Sequence, residues 1–203
     1  LRRLYKEIYE NGRMPQNMRE FITSMLYKEK GDRADTDSYR PISVMSAEYR
    51  ILARAMAQRL ALVLYKVIGR TQIGFVLGHQ IGENIDLMTE IIRYMENEGK
   101  TSTAGGLILI LDFAKAYPSM QHDFMYQCME AFGIPECFIR MVRAMYADGK
   151  TRFKVGGVVD SEPVDMTSGT RQGCALSSLL FLLMQEILLR MIRKDEGVRG
   201  IDI

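Results

Sequence analysis

The sequence predicts an α+β fold, helices with a few short strands. Three observations predict it. Apolar residues recur at spacings of three and four in several segments. One run, Leu107–Leu111, places five apolar β-formers in a row behind Gly105 and Gly106. Gly156-Gly157 separates two short runs rich in β-branched residues, as a hairpin turn would. With 203 residues, 47% apolar and 26% charged, the chain has an ordinary globular composition. That is enough for one domain with a sizeable core, or one domain and part of another.

In chain order, residues 1–26 read as helical, broken by Gly12 and Pro15. Lys28 to Pro41 is dense in charge and turn formers and has no apolar period, so it reads as a charged loop or hairpin. Ser46 is placed to cap a helix through about Ile68, with Ile51, Leu52, Ala55, Met56, Leu60 and Val63 along it. Gly69 to Gly82 reads as a loop. Ile81, Ile85, Met88, Ile92 and Met95 then lie on one helix face that ends near Gly99. Leu107–Leu111 is expected to be a strand buried on both faces, ending at Asp112. Helices follow at about 121–132 and 136–147, divided by Gly133-Ile-Pro135. Thr151–Val155 and about 158–165 read as paired strands, and Ser177–Arg193 as the last helix.

Composition excludes several classes. Lys and Arg number 27 against 25 acids, a net charge of +2, so nucleic-acid binding would have to come from local placement of charge. Cys128, Cys137 and Cys174 show no CxxC spacing, and His79 and His122 stand apart from them, which disfavours zinc and a disulfide framework. An intracellular, reducing compartment, cytoplasm or nucleus, is expected. No apolar run reaches the ~18 residues of a membrane span. The first residue is Leu1 with no leader behind it, so the chain reads as an excised segment.

Three places carry possible chemistry. Asp112, at the end of the apolar run, reads either as a carboxylate that holds a divalent cation or as a strand-end cap for the helix that follows. Gly169-Thr-Arg171-Gln172-Gly173-Cys174-Ala175-Leu176-Ser177 reads either as a loop that lets a backbone approach an anionic ligand, or as a glycine turn with Ser177 as N-cap. Lys28, Lys30, Arg33 and Arg40 either clamp a triphosphate or form a solvated surface.

Their order changes the reading. Tyr39-Arg-Pro-Ile-Ser43, Ile73-Gly-Phe75 with Gly78, Asn84-Ile85, Leu111-Asp-Phe-Ala-Lys-Ala-Tyr117 and Arg171-Gln-Gly-Cys-Ala-Leu-Ser177 together resemble the reverse transcriptases of non-LTR retrotransposons, relatives of the group II intron enzymes. The resemblance implies the fingers and partial palm of a right-hand polymerase, truncated before the catalytic Asp-Asp hairpin. It implies a fingers-like region at 1–100 and a partial palm at 101–203. By it, Asp112 is the catalytic metal ligand and the Phe113 carbonyl reaches a second ion. Tyr117 excludes a 2′-hydroxyl. Gln172 and Gly173 contact the incoming nucleotide and template base, Arg171 contacts template or primer, and Lys30 and Arg40 hold the triphosphate. The implied cofactor is Mg²⁺, two ions in a complete site, with Mn²⁺ as a substitute. The implied partners are an RNA template, a DNA primer and dNTPs, in a two-metal nucleotidyl transfer.

The sequence also departs from the family pattern. Pro118 stands where the family has Asp, Ala175 and Ser178 where it has Pro, and Leu77 and His79 where it commonly has Pro and Arg. No adjacent Asp pair occurs in the 203 residues. Asp148, in Tyr146-Ala-Asp-Gly149, reads as structural. The segment alone is therefore expected to be inactive. The alternatives are a maturase-like RNA-binding module without catalysis and a decayed copy of a mobile element.

Overall fold

A computed structural model describes residues 1–98, 108–160 and 162–198. The elements are α1 (Arg2–Asn11), α2 (Gln16–Arg19), β1 (Glu20–Tyr27), β2 (Tyr39–Val44), α3 (Ala47–Val67), α4 (Ile81–Glu98), α5 (His122–Ala131), α6 (Glu136–Tyr146), β3 (Lys150–Val155), β4 (Val158–Val159), β5 (Val164–Asp165) and α7 (Ser177–Lys194). The class is α+β, with one small sheet among the described residues, of order β2-β1-β3-β4 and with β5 also paired to β3.

The sheet corrects the reading of the first 26 residues. Gly12 ends α1 in the left-handed conformation (φ 65°). Beyond the short α2, Glu20-Phe-Ile-Thr-Ser-Met-Leu-Tyr27 is a strand. It alternates, with Phe21 and Thr23 buried on one side. β1 pairs antiparallel with β2 and parallel with β3, Thr23 opposite Phe153. The charged segment 28–38 is the tip of the β1–β2 hairpin, tightened by hydrogen bonds from the Tyr27 hydroxyl to the Gly31 carbonyl (2.7 Å) and from the Tyr39 hydroxyl to the Arg33 carbonyl (2.9 Å). Gly156 and Gly157 turn β3 into β4 with φ of 58° and 89°, the paired positive values of a tight hairpin turn.

Ser46 caps α3 as expected, accepting a hydrogen bond from the Tyr49 N–H at 3.3 Å. One face of α3 buries Tyr49, Leu52, Ala53, Met56, Leu60 and Leu64. That face packs on α7, whose Leu180 and Leu183 lie in the same core as Leu176 just before it, Met125 and Met129 of α5 and Ile139 and Val142 of α6. Each fully buried Leu or Met contributes about 1.5–3 kcal/mol. This single core and sheet join residues on both sides of position 100.

Two expectations fail here. Ile108–Leu111, the part of the apolar run within the described residues, forms no strand and is exposed, Ile110 at 81%. Apolar β-formers make a strand only beside a neighbour that takes up their N–H and C=O groups, and no described strand runs alongside. Ser177 is not the N-cap of α7. Its hydroxyl turns back and donates to the Arg171 carbonyl at 2.9 Å. α4 is a helix as expected, yet its apolar row faces outward, with Ile85 59% exposed.

Candidate functional site

Three segments named from the sequence are tied together by backbone hydrogen bonds. β2 carries Arg40 opposite Leu26, and three residues on its Ser43 N–H donates to the Gln172 carbonyl at 2.8 Å. The Gln172 loop is bound in turn to the turn after Asp112. Thr170 N–H donates to the Tyr117 carbonyl at 2.9 Å and Gly169 N–H to the Met120 carbonyl at 2.6 Å. His122 closes the junction, its Nε2 lying 2.8 Å from the Gly169 carbonyl oxygen. Arg40, Gln172 and Tyr117 therefore sit on three adjoining pieces of backbone.

Gly169 is what lets those pieces approach. Its φ is +79°, and a Cβ there would stand 2.9 Å from the Pro118 carbonyl oxygen. The left-handed conformation alone costs a side-chain residue about 1–3 kcal/mol, and the clash is with backbone that cannot swing away. Gly169→Ala is expected to lower stability by at least that amount and to raise amide exchange at Thr170 before exchange rises in the helical core. Wild-type urea unfolding would contradict it.

Within the turn, Tyr117 is half-buried and leans on Phe181 of α7, ring centres 5.7 Å apart. Burial raises its phenol pKa, so the ring stays neutral and presents an apolar wall. Phe113 meets the same Phe181 edge-on at 5.6 Å. Phe113 and Phe181 line a mostly apolar cavity of about 370 Å³ with Met184, Leu188 and Met191.

Lys115, at φ 55°, pairs with Asp37 of the hairpin tip at 2.7 Å. This contact, invisible in the sequence, joins the Asp112 turn to the charged loop. The pair holds the Asp37 carboxyl below its usual range and the Lys115 ammonium above its own, chiefly through their shared hydrogen bond. Lys30 and Arg40 are exposed and make no ion pair among the described residues.

Asp112 is exposed rather than buried, and it too makes no ion pair among the described residues. An open carboxylate with a neighbouring backbone carbonyl fits a hard cation that arrives on a nucleotide's phosphates, since Mg²⁺ is often held by one or two carboxylates plus substrate phosphates. It does not complete a metal site. Among the described residues no three His, Cys, Asp or Glu side chains gather closely enough to hold an ion. Asp148 belongs elsewhere. It lies at φ 49° and pairs with Arg13 (2.9 Å) and Arg19 (3.9 Å), pinning the N-terminal helices to the end of α6.

Arg171, expected to contact template or primer, is turned inward and is 3% exposed. Its guanidinium lies among the rings of Tyr49, Phe21 and Tyr146. Those partners sit 20 or more residues away in sequence, which is why motif reading could not find them. Next to this loop is a groove of about 680 Å³ lined by Arg50, Arg54 and Gln58 of α3 with Gly173 and Ala175. Arg50 and Arg54 are exposed, one helical turn apart, and no acid lines the groove with them.

The chain belongs to the reverse transcriptase family. The family described as reverse transcriptase (RNA-dependent DNA polymerase) matches residues 27–201. Among curated relatives, the chain is 30% identical over 192 residues to the transposon TX1 uncharacterized 149 kDa protein of Xenopus laevis, covering 95% of this chain and 14% of that protein. It is 26% identical over 197 residues to the retrovirus-related Pol polyprotein from type-1 retrotransposable element R2 of Nasonia vitripennis, covering 97% and 18%. It is 25% identical over 183 residues to the RNA-directed DNA polymerase from mobile element jockey of Drosophila melanogaster, covering 88% and 19%. These are proteins of non-LTR retrotransposons, and the chain spans less than a fifth of the length of each. Among the described residues no helix is long and apolar enough to cross a membrane.

Proposed function

We propose that the protein carrying this chain is an RNA-directed DNA polymerase of a non-LTR retrotransposon. It extends a DNA primer with dNTPs along an RNA template, and this chain supplies the fingers and part of the palm. The observation that supports the reading is the backbone junction of β2, the Gln172 loop and the Tyr117 turn, which joins three of the motif segments on which the family resemblance rests. In the reaction the primer 3′-oxygen bonds to the α-phosphorus as the bond to pyrophosphate breaks. Lys30 and Arg40 hold the triphosphate by charge. Tyr117 walls off the sugar's 2′ position. Gln172 and Gly173 meet the nucleotide and the templating base. Asp112 and the Phe113 carbonyl would hold Mg²⁺ or Mn²⁺, which when bound acidifies the attacking hydroxyl and neutralises charge on the leaving oxygens. The basic groove at Arg50 and Arg54 suits a nucleic-acid backbone. The three free cysteines suit a reducing, intracellular compartment. The adjacent Asp pair that family resemblance calls for is not among these 203 residues, so the chain alone is expected not to extend a primer.

The test is primer extension on an RNA template by the full-length protein, with Tyr117→Val beside wild type. Removing the ring should lower the preference for dNTPs over rNTPs by about tenfold or more, since excluding one hydroxyl by shape is worth on the order of 1–3 kcal/mol. No extension by wild type would reject the polymerase, and an unchanged sugar preference would remove Tyr117 from the role.

A further inference from the structure

Among the cations of the candidate segments, Arg171 is the one withdrawn from solvent, and no carboxylate among the described residues pairs with it. A buried charge without a counter-ion is costly, so its surroundings must supply the compensation. They do so with three aromatic faces. The guanidinium carbon is 4.5 Å from the ring centre of Tyr49, 4.7 Å from Phe21 and 5.2 Å from Tyr146. A ring's negative face attracts a cation more strongly once water is gone. Nη1 also donates to the Tyr49 phenol oxygen and, at 2.8 Å, to the Met145 carbonyl. Gly149 leaves the room, since a Cβ there would stand 3.1 Å from Nη2. The cage is built from β1, the first turn of α3 and the end of α6, so one side chain sets three elements against one loop.

The backbone of that loop is held on both sides of Gln172. The Arg171 carbonyl accepts from the Cys174 N–H at 3.0 Å and from the Ser177 hydroxyl at 2.9 Å. The Gln172 carbonyl accepts from Ser43 in β2. The Gln172 side chain is half-exposed and has no hydrogen-bond partner among the described residues, so its amide remains free for a ligand.

We propose that Arg171 is a positioning residue for nucleotide binding: the caged guanidinium locks the loop so that Gln172 presents its amide to the incoming nucleotide, which Arg171 itself never touches. This rests on the polymerase reading. Lysine is a poor substitute. Its compact ammonium keeps the charge but cannot lie flat against rings while donating along two fixed directions.

Two measurements test the proposal. In the 203-residue chain, Arg171→Lys should speed amide exchange at Ser43 and Cys174 by about tenfold or more, a loss of roughly 1.4 kcal/mol in local closure, while the β1–β3 ladder amides change little. Uniform acceleration everywhere, or none at Ser43 and Cys174, would overturn the positioning role. In the full-length protein, Arg171→Lys should raise the KM for dNTP about ten- to hundredfold, the size of effect that a small misplacement carries, with kcat within about twofold of wild type. Tyr49→Phe keeps the ring and loses the hydroxyl, and should move KM the same way by less. A residue that only stabilises the fold would lower the active fraction, and so kcat, at unchanged KM; that result refutes the proposal. If wild type fails to extend a primer while the exchange result holds, the polymerase reading falls and takes the nucleotide role of the cage with it.

Discussion

Asp112→Asn in the full-length protein is expected to lower primer extension by about a thousandfold or more. Charge stabilisation by a bound cation at a phosphoryl group is worth several kcal/mol, and each 1.36 kcal/mol is tenfold in rate. The amide keeps the shape of the carboxylate and loses the charge that would hold the ion. Asp112 is exposed and pairs with no cation among the described residues, so the substitution should leave folding and RNA affinity near wild type. That combination separates a role in the reaction from a role in the fold. Extension by the variant at a rate close to wild type, with contaminating polymerase excluded, would remove Asp112 from the site.

The second large effect is on stability. Tyr49→Ala is expected to cost about 3–5 kcal/mol, the usual loss for deleting a large buried aromatic. The position is fully buried, at 0% exposure. The substitution also opens one wall of the Arg171 cage and leaves Nη1 without one of its acceptors. Burial holds the Tyr49 phenol well above its ordinary pKa, against the opposing pull of the Arg171 charge. The group is thus neutral across the accessible pH range, and the deficit should be nearly independent of pH between 6 and 9, on the order of the values for uncharged core residues. Urea unfolding of the 203-residue chain measures it; a loss under about 1 kcal/mol would show that the cage does not depend on Tyr49.

Much of this architecture could be read from residues in order. α3 was legible because a cap and a 3-and-4 spacing agree, and α5, α6 and α7 because glycine, proline and apolar spacing mark their limits. β1 was missed, although Phe21, Ile22, Thr23 and Tyr27 are good strand formers, because a preceding helix drew the reading onward. Ile108–Leu111 was over-read for the converse reason. Its composition favours a strand, but pairing depends on a neighbour that composition does not reveal. At the site, the motifs located Tyr117 and Gln172 in segments that the fold joins. They did not reveal the burial of Arg171. A charged residue in a glycine loop suggests an anion outside, and only the tertiary fold brings Phe21, Tyr49 and Tyr146 around it. The Lys115–Asp37 pair was unreadable for the same reason, its members lying in two loops far apart in sequence.

The parallel pairing of β1 with β3 has a consequence for how the chain is made. Thr23 and Thr151 share a buried hydrogen bond across a sequence separation of 128. During synthesis at roughly 5–20 residues per second, β1 waits on the order of ten seconds for its partner. Throughout that interval the edge of β1 that β3 later covers is open, a template for pairing with other chains. Contacts so distant in sequence also slow closure once both strands exist. The nascent hairpin, rather than the finished domain, is where a chaperone would do most to prevent aggregation.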